Sequence, residues 1–495
     1  MNDAPCILPS LLAIAFSSAL LFSGCKVGPD FKPPHPSMPV GFVGVTNASA
    51  ARQSVSPAPV GDLARWWLKF NDPKLSGLVT EALRTNLDLQ LAKARLLQAR
   101  AQRGVVAAGL WPAVTASGAY SRTHSPPGVG PPGDHDLFQA GLDALWEIDL
   151  FGGVRRNVES ANANIVAAQA DLYNVQVSLV AEVALDYLQL RGFQQQILVA
   201  QNNLKAQEHT AALTRTVFRA GFNSGLDVAN ADANVATTKA AIPVLETSAQ
   251  QSIYALSVLL ARPPADLLQE LSASAPLPVM PPAVPVGLPS DLLRRRPDVR
   301  EAEAQLHSAV AQIGVAVADL FPKFSLTGSL SYQNNLAGNL FMGASRYSSF
   351  GPTVTWPLFQ GGGIVSNIRV QKALRDQSYL TYQKTVLTAL QDVENALIAF
   401  DKEWEHRQAL NDAVVFNRKA VDLSIQLYTA GQTDFLNVLT AQRSLYAAED
   451  ALVQSTLSTA TDLIAVYKAL GGGWDSPPPP AQEANAAPLG GVSQQ

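Results

Sequence analysis

The chain has 495 residues, 47% hydrophobic and only 15% charged, with a formal net charge of −4. That balance leaves no basic footprint for nucleic acid, and with Cys6 and Cys25 as the only cysteines there is no disulfide framework or cysteine-based metal site in the body. After residue 25 no run of about 18 apolar residues occurs, so a membrane would be met by strands or by lipid, not by a spanning helix.

In chain order, a short apolar segment, 7–22, ends at Ser23-Gly24-Cys25. Small residues before a lone Cys read as a lipoprotein signal: 1–24 is removed and the Cys25 thiol is acylated, although no Lys or Arg precedes it. Lys26 follows where similar lipoproteins kept at the inner membrane carry Asp, which points to the outer membrane. Residues 25–61, rich in Pro, Gly, Ser and Ala, suit a lipidated tether or a strap laid on the surface. Ordered structure is expected from Asp62, with Trp66, Trp67 and Phe70 as anchors and one helical pattern from Lys74 to Leu110, stopped by Trp111-Pro112.

Two strands follow in the expected hairpin 113–150. Phe138, Ala140, Leu142, Ala144, Trp146, Ile148 and Leu150 alternate with Gln139, Asp143, Glu147 and Asp149, the period of two that marks a sheet with one apolar face. A second hairpin, 323–359, repeats this: Phe324 to Tyr332 alternates apolar residues with hydroxyls, and Phe350, Val354, Trp356 and Leu358 alternate with Thr353 and Thr355. An apolar face with Trp or Tyr near its ends and a polar opposite face is the pattern of a membrane barrel wall.

Behind each hairpin stands a Pro-free, helix-favouring run, 154–220 and 364–430, entered through glycines and left through Ala-Gly. At 1.5 Å per residue each predicts a rod of about 100 Å. Turns at Gly221 and Gly431 lead into return helices, 226–261 and 436–470, the first holding Pro243, where a kink is expected. The 36 residues of 226–261 and the 31 of a helix expected over 290–320 together match one 67-residue rod, so two pieces end to end could run beside it.

Pro112 and Pro322, Trp146 and Trp356, and Gly221 and Gly431 share an offset of 210 positions, so the chain is a duplicated unit of helix, two strands, long helix and return helix. The domain expectation is a first repeat over 62–262, a Pro-rich linker over 263–289, a second repeat over 290–470 and a disordered tail over 471–495. Four strands cannot close a barrel, for which about eight is the working minimum, so copies must associate.

The segments Leu288-Pro289-Ser290-Asp291-Leu292-Leu293-Arg294-Arg295-Arg296-Pro297-Asp298-Val299-Arg300, Asn437-Val438-Leu439-Thr440-Ala441-Gln442-Arg443-Ser444-Leu445 and Tyr467-Lys468-Ala469-Leu470-Gly471-Gly472-Gly473-Trp474 resemble signatures of the TolC-like outer-membrane factors. The likeness is to the lipoprotein branch that serves resistance-nodulation-division efflux and includes nodulation protein T. Trp66-Trp67 to Asp72-Pro73-Lys74-Leu75 is similar to that family's opening. The resemblance implies an α+β membrane protein and a homotrimer, with a barrel of about 12 strands, four per chain, continued by a long α-helical barrel. It implies a passive duct in the outer membrane, closed at its periplasmic tip, that docks a periplasmic membrane-fusion adaptor and an inner-membrane resistance-nodulation-division pump. A type I protein secretion duct is the nearest alternative, and a lipid-anchored coiled-coil scaffold or adhesin is one of another class.

No enzymatic chemistry is expected. The glycines at 152–153 and 361–363 lack the flanks of a phosphate loop, and the six His residues have no ligand spacing, so neither cofactor nor metal is implied. The candidate residues are structural or gating: Cys25 for the lipid, Trp146 and Trp356 at the membrane interface, and the turns at Gly221 and Gly431 for adaptor docking. Asp434, Asp227, Arg215 and Arg219 are candidates for the gate at the periplasmic tip; capping of the return helices is the plainer role for the two aspartates.

Overall fold

The structure, a computed structural model, describes residues 26–43, 53–54, 63–128, 132–280, 284–285, 289–290 and 295–474. The expected leader, Cys25 and positions 475–495 of the expected tail lie outside the described residues. Helices α1 (Pro73–Thr85) and α2 (Leu87–Ala108) precede strands β1 (Ala113–Ser125) and β2 (Gly133–Ile148), then helices α3 (Gly153–Arg219) and α4 (Gly225–Leu259). Beyond the linker come α5 (Pro297–Ala318), β3 (Lys323–Asn334), β4 (Arg346–Thr355), α6 (Gly363–Thr429) and α7 (Phe435–Ala469). Helices α3 and α6 have 67 residues each, and α4 and α7 have 35 each. Both ends of α2 and α5, of α3 and α6, and of α4 and α7 are separated by 210 positions, so the duplication holds residue for residue along the helices.

Three expectations are corrected by local geometry. The pattern from Lys74 to Leu110 is two helices, because Asn86 (φ −55°, ψ 133°) leaves the helical region. Its Oδ1 accepts the Leu89 N–H at 2.9 Å, and its Nδ2 donates to the Leu259 carbonyl at 2.9 Å. One side chain thus caps α2 and ties the α1–α2 corner to the end of α4. Strand β4 ends at Thr355, leaving Trp356 and Leu358 beyond it. The helix expected over 290–320 is interrupted: among the described residues 289, 290 and 295 are helical, Arg296 is not, and α5 begins at Pro297, which suits a first helical position because proline lacks only an N–H that would have no helical partner there. Helix α4 continues through Pro243.

The chain divides into two compact units, and each draws on both repeats. Of the described residues, the first takes those within 26–37, 92–172 and 298–386, and the second those within 38–91, 173–297 and 387–474.

The first unit holds the sheet, an antiparallel meander in the order β1-β2-β3-β4. Its register sets like against like. Ala140, Leu142, Ala144 and Trp146 of β2 stand opposite Tyr332, Leu330, Gly328 and Leu326 of β3, while Gln139, Asp143 and Glu147 stand opposite Gln333, Ser329 and Ser325. The outer strands keep this division: Tyr120 pairs with Phe138 and Phe324 with Val354, whereas Thr115 pairs with Asp143 and Ser325 with Thr353. Directly paired residues share a face, so one face is apolar and the other polar. Within the sheet β1 and β4 are edges, each with one row of backbone groups turned away from any strand of this chain.

The first residues of the tether form a strap on α3 and α5 in this unit. Arg156, 1% exposed, donates to the carbonyls of Val27 (3.0 Å) and Gly28 (3.3 Å) and to the carboxylates of Asp30 (2.7 Å) and Glu159 (3.0 Å). Gly28, at φ +85°, passes so near α5 that a Cβ would fall 2.5 Å from the Gly314 Cα. Lys26 also pairs with Glu159 at 3.0 Å, and Phe31 stacks on His307 at 4.3 Å.

In the second unit the expected anchors are core. Trp66 stacks on Tyr467 at 5.1 Å, and the Tyr187 hydroxyl donates to Asp72, the N-cap of α1, at 2.7 Å. The linker binds to α3 through Arg191 and Gln194, which donate to the Ala273 and Leu271 carbonyls. Residues 471–474, expected as the start of a disordered tail, are packed instead. Gly471 and Gly473 adopt positive φ, which lets the chain turn so that Trp474 stacks on Tyr173 at 4.4 Å and donates Nε1–H to the Arg295 carbonyl at 3.1 Å.

Two carboxyls on the helices of this unit are held in unfavourable places. Burial, with the Asp186 carboxyl also facing the charge of Glu182, pushes its pKa up to about 6; burial and then Glu403 do the same for Asp462. A carboxyl raised on folding lowers stability when ionised, so stability rises as pH falls through 6 toward the unfolded value. Asp462→Asn is therefore expected to raise Tm at pH 8, by a margin that shrinks toward pH 5. An equal margin at both values would show that the charge is not the cause.

Candidate functional site

The candidate residues fall in two places, the turns between paired long helices and the corners where helix meets strand. Both turns use one backbone solution. Gly221 (φ +82°) and Gly431 (φ +69°) follow the last helical residues in the left-handed region. Phe222 N–H donates to the Val217 carbonyl at 3.1 Å and Gln432 N–H to Leu427 at 2.8 Å, while Gly221 and Gly431 donate to Phe218 and Tyr428. These bonds satisfy the last carbonyls of α3 and α6, as in a Schellman ending, where glycine carries no Cβ penalty.

The helix starts beyond the turns differ. Ser224 caps α4 reciprocally with Asp227: the Ser224 hydroxyl accepts from Asp227 N–H at 3.4 Å, and the Asp227 carboxylate accepts from Ser224 N–H at 3.1 Å. Asp227 is thus a capping-box residue. Asp434 stands where Ser224 stands in the other repeat, at the N-cap of α7, yet its exposed carboxylate makes no capping bond. The two aspartates are not equivalent, and only Asp227 fulfils the capping role.

The arginines also separate. Arg215 pairs with Asp232 of α4 within the hairpin, so it already has an acidic partner in its own chain. Arg219 reaches only the Arg215 carbonyl and the Thr216 hydroxyl, both at 3.4 Å on its own helix, and among the described residues it meets no carboxylate.

Behind the turns lies a small core of Ala211, Ala231, Tyr428, Phe435, Val438 and Leu439. Asn223 ties the two turns together, its Nδ2 donating to the Tyr428 hydroxyl at 3.0 Å and to the Thr214 carbonyl at 3.2 Å. Outside this core Phe222 is 85% exposed, and Leu226 and Leu436 are exposed with it. These three apolar side chains were not singled out from the sequence; their signal was Phe222 directly after the turn glycine Gly221 and a leucine two residues after each N-cap, Ser224 and Asp434.

At the corners the repeat places matching contacts. Trp146 Nε1–H donates to the Leu110 carbonyl and Trp356 Nε1–H to the Leu320 carbonyl, each at 3.0 Å. Both indoles thus sit where a helix ends and a strand begins, with their polar edge satisfied and the ring partly or largely exposed. Among the described residues no three His, Cys, Asp or Glu side chains gather as a metal site, and no helix is long and apolar enough to cross a membrane.

The family model of the outer membrane efflux protein matches residues 78–262 and 288–472, once in each repeat. Nodulation protein T of Rhizobium leguminosarum bv. trifolii is 32% identical over 462 residues, covering 92% of this chain and 96% of its own. The pyoverdine export outer membrane protein OpmQ of Pseudomonas aeruginosa is 36% identical over 430 residues, covering 84% of this chain and 88% of its own. The solved outer-membrane channel OprN has 37% identity and a TM-score of 0.85 over 91% of this chain and 100% of its own. The duplicated hairpins, the two-faced sheet and these matches place the chain in the outer membrane efflux protein family, the TolC-like channels.

Proposed function

We propose that three copies of this chain close a passive duct in the outer membrane, a barrel of about 12 strands continued by an α-helical barrel. Through it a periplasmic adaptor and an inner-membrane resistance-nodulation-division pump expel drugs or other small molecules. The observation that carries this reading is the two-faced meander with open edges at β1 and β4. In lipid each unpaired backbone group costs several kcal/mol, and pairing β4 of one copy with β1 of the next removes every edge. The chain does no covalent chemistry on its cargo; the pump supplies energy and choice.

The remaining residues take positions in that scheme. Trp146 on the apolar face and Trp356 just beyond β4 sit at the membrane interface, and the Cys25 lipid anchors the start of the strap. The turns at Gly221 and Gly431, with Phe222, Leu226 and Leu436 exposed beside them, offer the adaptor an apolar rim. Asp434 and Arg219 form the gate.

Cross-linking of the detergent-extracted protein with mass analysis is expected to stop at three copies, and a stable monomer or dimer would overturn the reading. Mass spectrometry of the mature N-terminal peptide is expected to show an acylated Cys25. Cys25→Ser should remove that mass and leave the trimer intact, because the barrel is a second hold on the membrane; an unmodified Cys25 in the parent would refute the anchor.

A further inference from the structure

The two strand hairpins end differently. The β1–β2 end is polar and paired within itself: Arg122 meets Asp134 at 2.8 Å, His124 meets Asp134 at 2.7 Å, and the Tyr120 hydroxyl donates to Asp136 at 2.9 Å. The β3–β4 end is equally built but apolar. Asn334 Oδ1 accepts from Leu336 N–H at 3.0 Å, Asn334 Nδ2 donates to the Ser345 hydroxyl at 2.7 Å, and that hydroxyl donates to the Asn339 carbonyl at 2.8 Å. These bonds hold two short 3-10 turns, Ala337–Asn339 and Gly343–Ser345, in place. The large side chains that flank these turns are nonetheless outside, Leu336 at 63%, Phe341 at 73% and Met342 at 54% exposure.

The register says which way this end leans. Tyr332 stands opposite Ala140 on one side and Arg346 on the other, so all three belong to the apolar face of the sheet. Phe341 packs edge-on against Tyr332 at 5.6 Å, which brings the connection to that same face and not to the polar one. Arg346 is exposed there, and among the described residues it makes no ion pair. A guanidinium beside an aromatic at the rim of an apolar face is placed to reach anionic headgroups while its stem stays in the acyl boundary.

We propose that residues 335–346 form a lipid-binding element at the outer rim of the barrel. Leu336, Phe341 and Met342 enter the acyl boundary of the outer leaflet, and Arg346 binds a phosphate of a phosphate-bearing lipid. The inference rests on the reading that the apolar face of the sheet meets lipid, and the continuity of that face through Tyr332 to Phe341 names the occupant. The polar β1–β2 end stays in water.

A photo-crosslinking benzoylphenylalanine introduced in place of Phe341, Leu330 or His124 in the full-length chain, in the membranes of producing cells, tests this by the mass of the adducts. Lipid adducts are expected at 341 as at 330, and not at 124. Adducts at 330 without adducts at 341 would overturn the proposal alone; their absence at 330 would overturn the lipid-facing reading and the proposal with it. Adducts from 341 to a second copy of the chain would make this end a subunit junction and also overturn it. In native mass spectrometry of the trimer, Arg346→Gln is expected to lower retention of a phosphorylated anionic lipid about fivefold, with no change for the uncharged diacylglycerol. Equal retention by parent and variant would remove the phosphate contact.

Discussion

Arg156→Ala is expected to release the strap. Its guanidinium is buried and meets two backbone carbonyls and two carboxylates at once, so truncation removes the donor of the Val27 and Gly28 carbonyls and leaves Glu159 with Lys26 and His307 alone. Breaking a buried hydrogen-bonded charge cluster costs roughly 3 kcal/mol. The Val27 amide, which donates to the Phe151 carbonyl at 3.1 Å, reports this directly. Its hydrogen exchange is expected to rise about 100-fold while amides in the middle of α3 stay protected. Arg156→Lys should restore less than half of the protection, since an ammonium lacks the planar fork that reaches four acceptors together. Unchanged exchange at Val27 would show that the strap is held by other contacts.

The same cluster fixes a pH dependence. Burial penalises the Glu159 carboxylate, but hydrogen bonds from Lys26 and His307 and the charges of Lys26 and Arg156 outweigh it and hold its pKa below the usual carboxylate value. A depressed carboxyl contributes stability that is fully present above the unfolded pKa and is lost as pH falls through the lower folded value. Strap protection is therefore expected to persist at neutral pH and to fade only in acid, below the ordinary glutamate range.

Periodic and punctuated features were legible in the sequence. Helices α3 and α6 begin and end one residue from the Pro-free runs that announced them, because glycines bound each run and nothing inside it breaks a helix. The two faces of the sheet follow from alternation, and the register pairs those faces as the pattern requires. What escaped depends on contacts between distant residues or on one backbone angle. Asn86 divides a helical pattern because its side chain finds the end of α4, and the strap lies down because Gly28 meets Gly314 beside Arg156. Neither partner is visible from its own neighbourhood. The non-equivalence of Asp227 and Asp434 is legible only once the 210-residue offset is applied at the turns, where Ser224 and not Asp227 is the counterpart of Asp434.

That non-equivalence separates stability from gating. Ser224→Ala removes a capping box and is expected to cost about 1 kcal/mol of local helix stability. Asp434→Ala removes no side-chain capping bond, so it should leave trimer yield and Tm within error of the parent. In the proposed trimer three Asp434 carboxylates around one axis would repel each other, so closure there would need cations between them. Arg215 is engaged with Asp232, whereas Arg219 meets no carboxylate among the described residues, so in the proposed gate we assign Arg219, not Arg215, to pair with a neighbouring copy's Asp434. An exposed pair is worth only about 0.5 kcal/mol, but three act on one equilibrium, so Asp434→Ala is expected to raise closed-channel conductance in a planar bilayer about tenfold. Cation preference should fall at the same time, because three negative charges leave the constriction. The exchange Asp434→Arg with Arg219→Asp should restore closure, since it rebuilds the pair with reversed sign. Parent-like conductance and cation preference in Asp434→Ala would exclude Asp434 from the gate and leave the constriction to other polar groups of the tip.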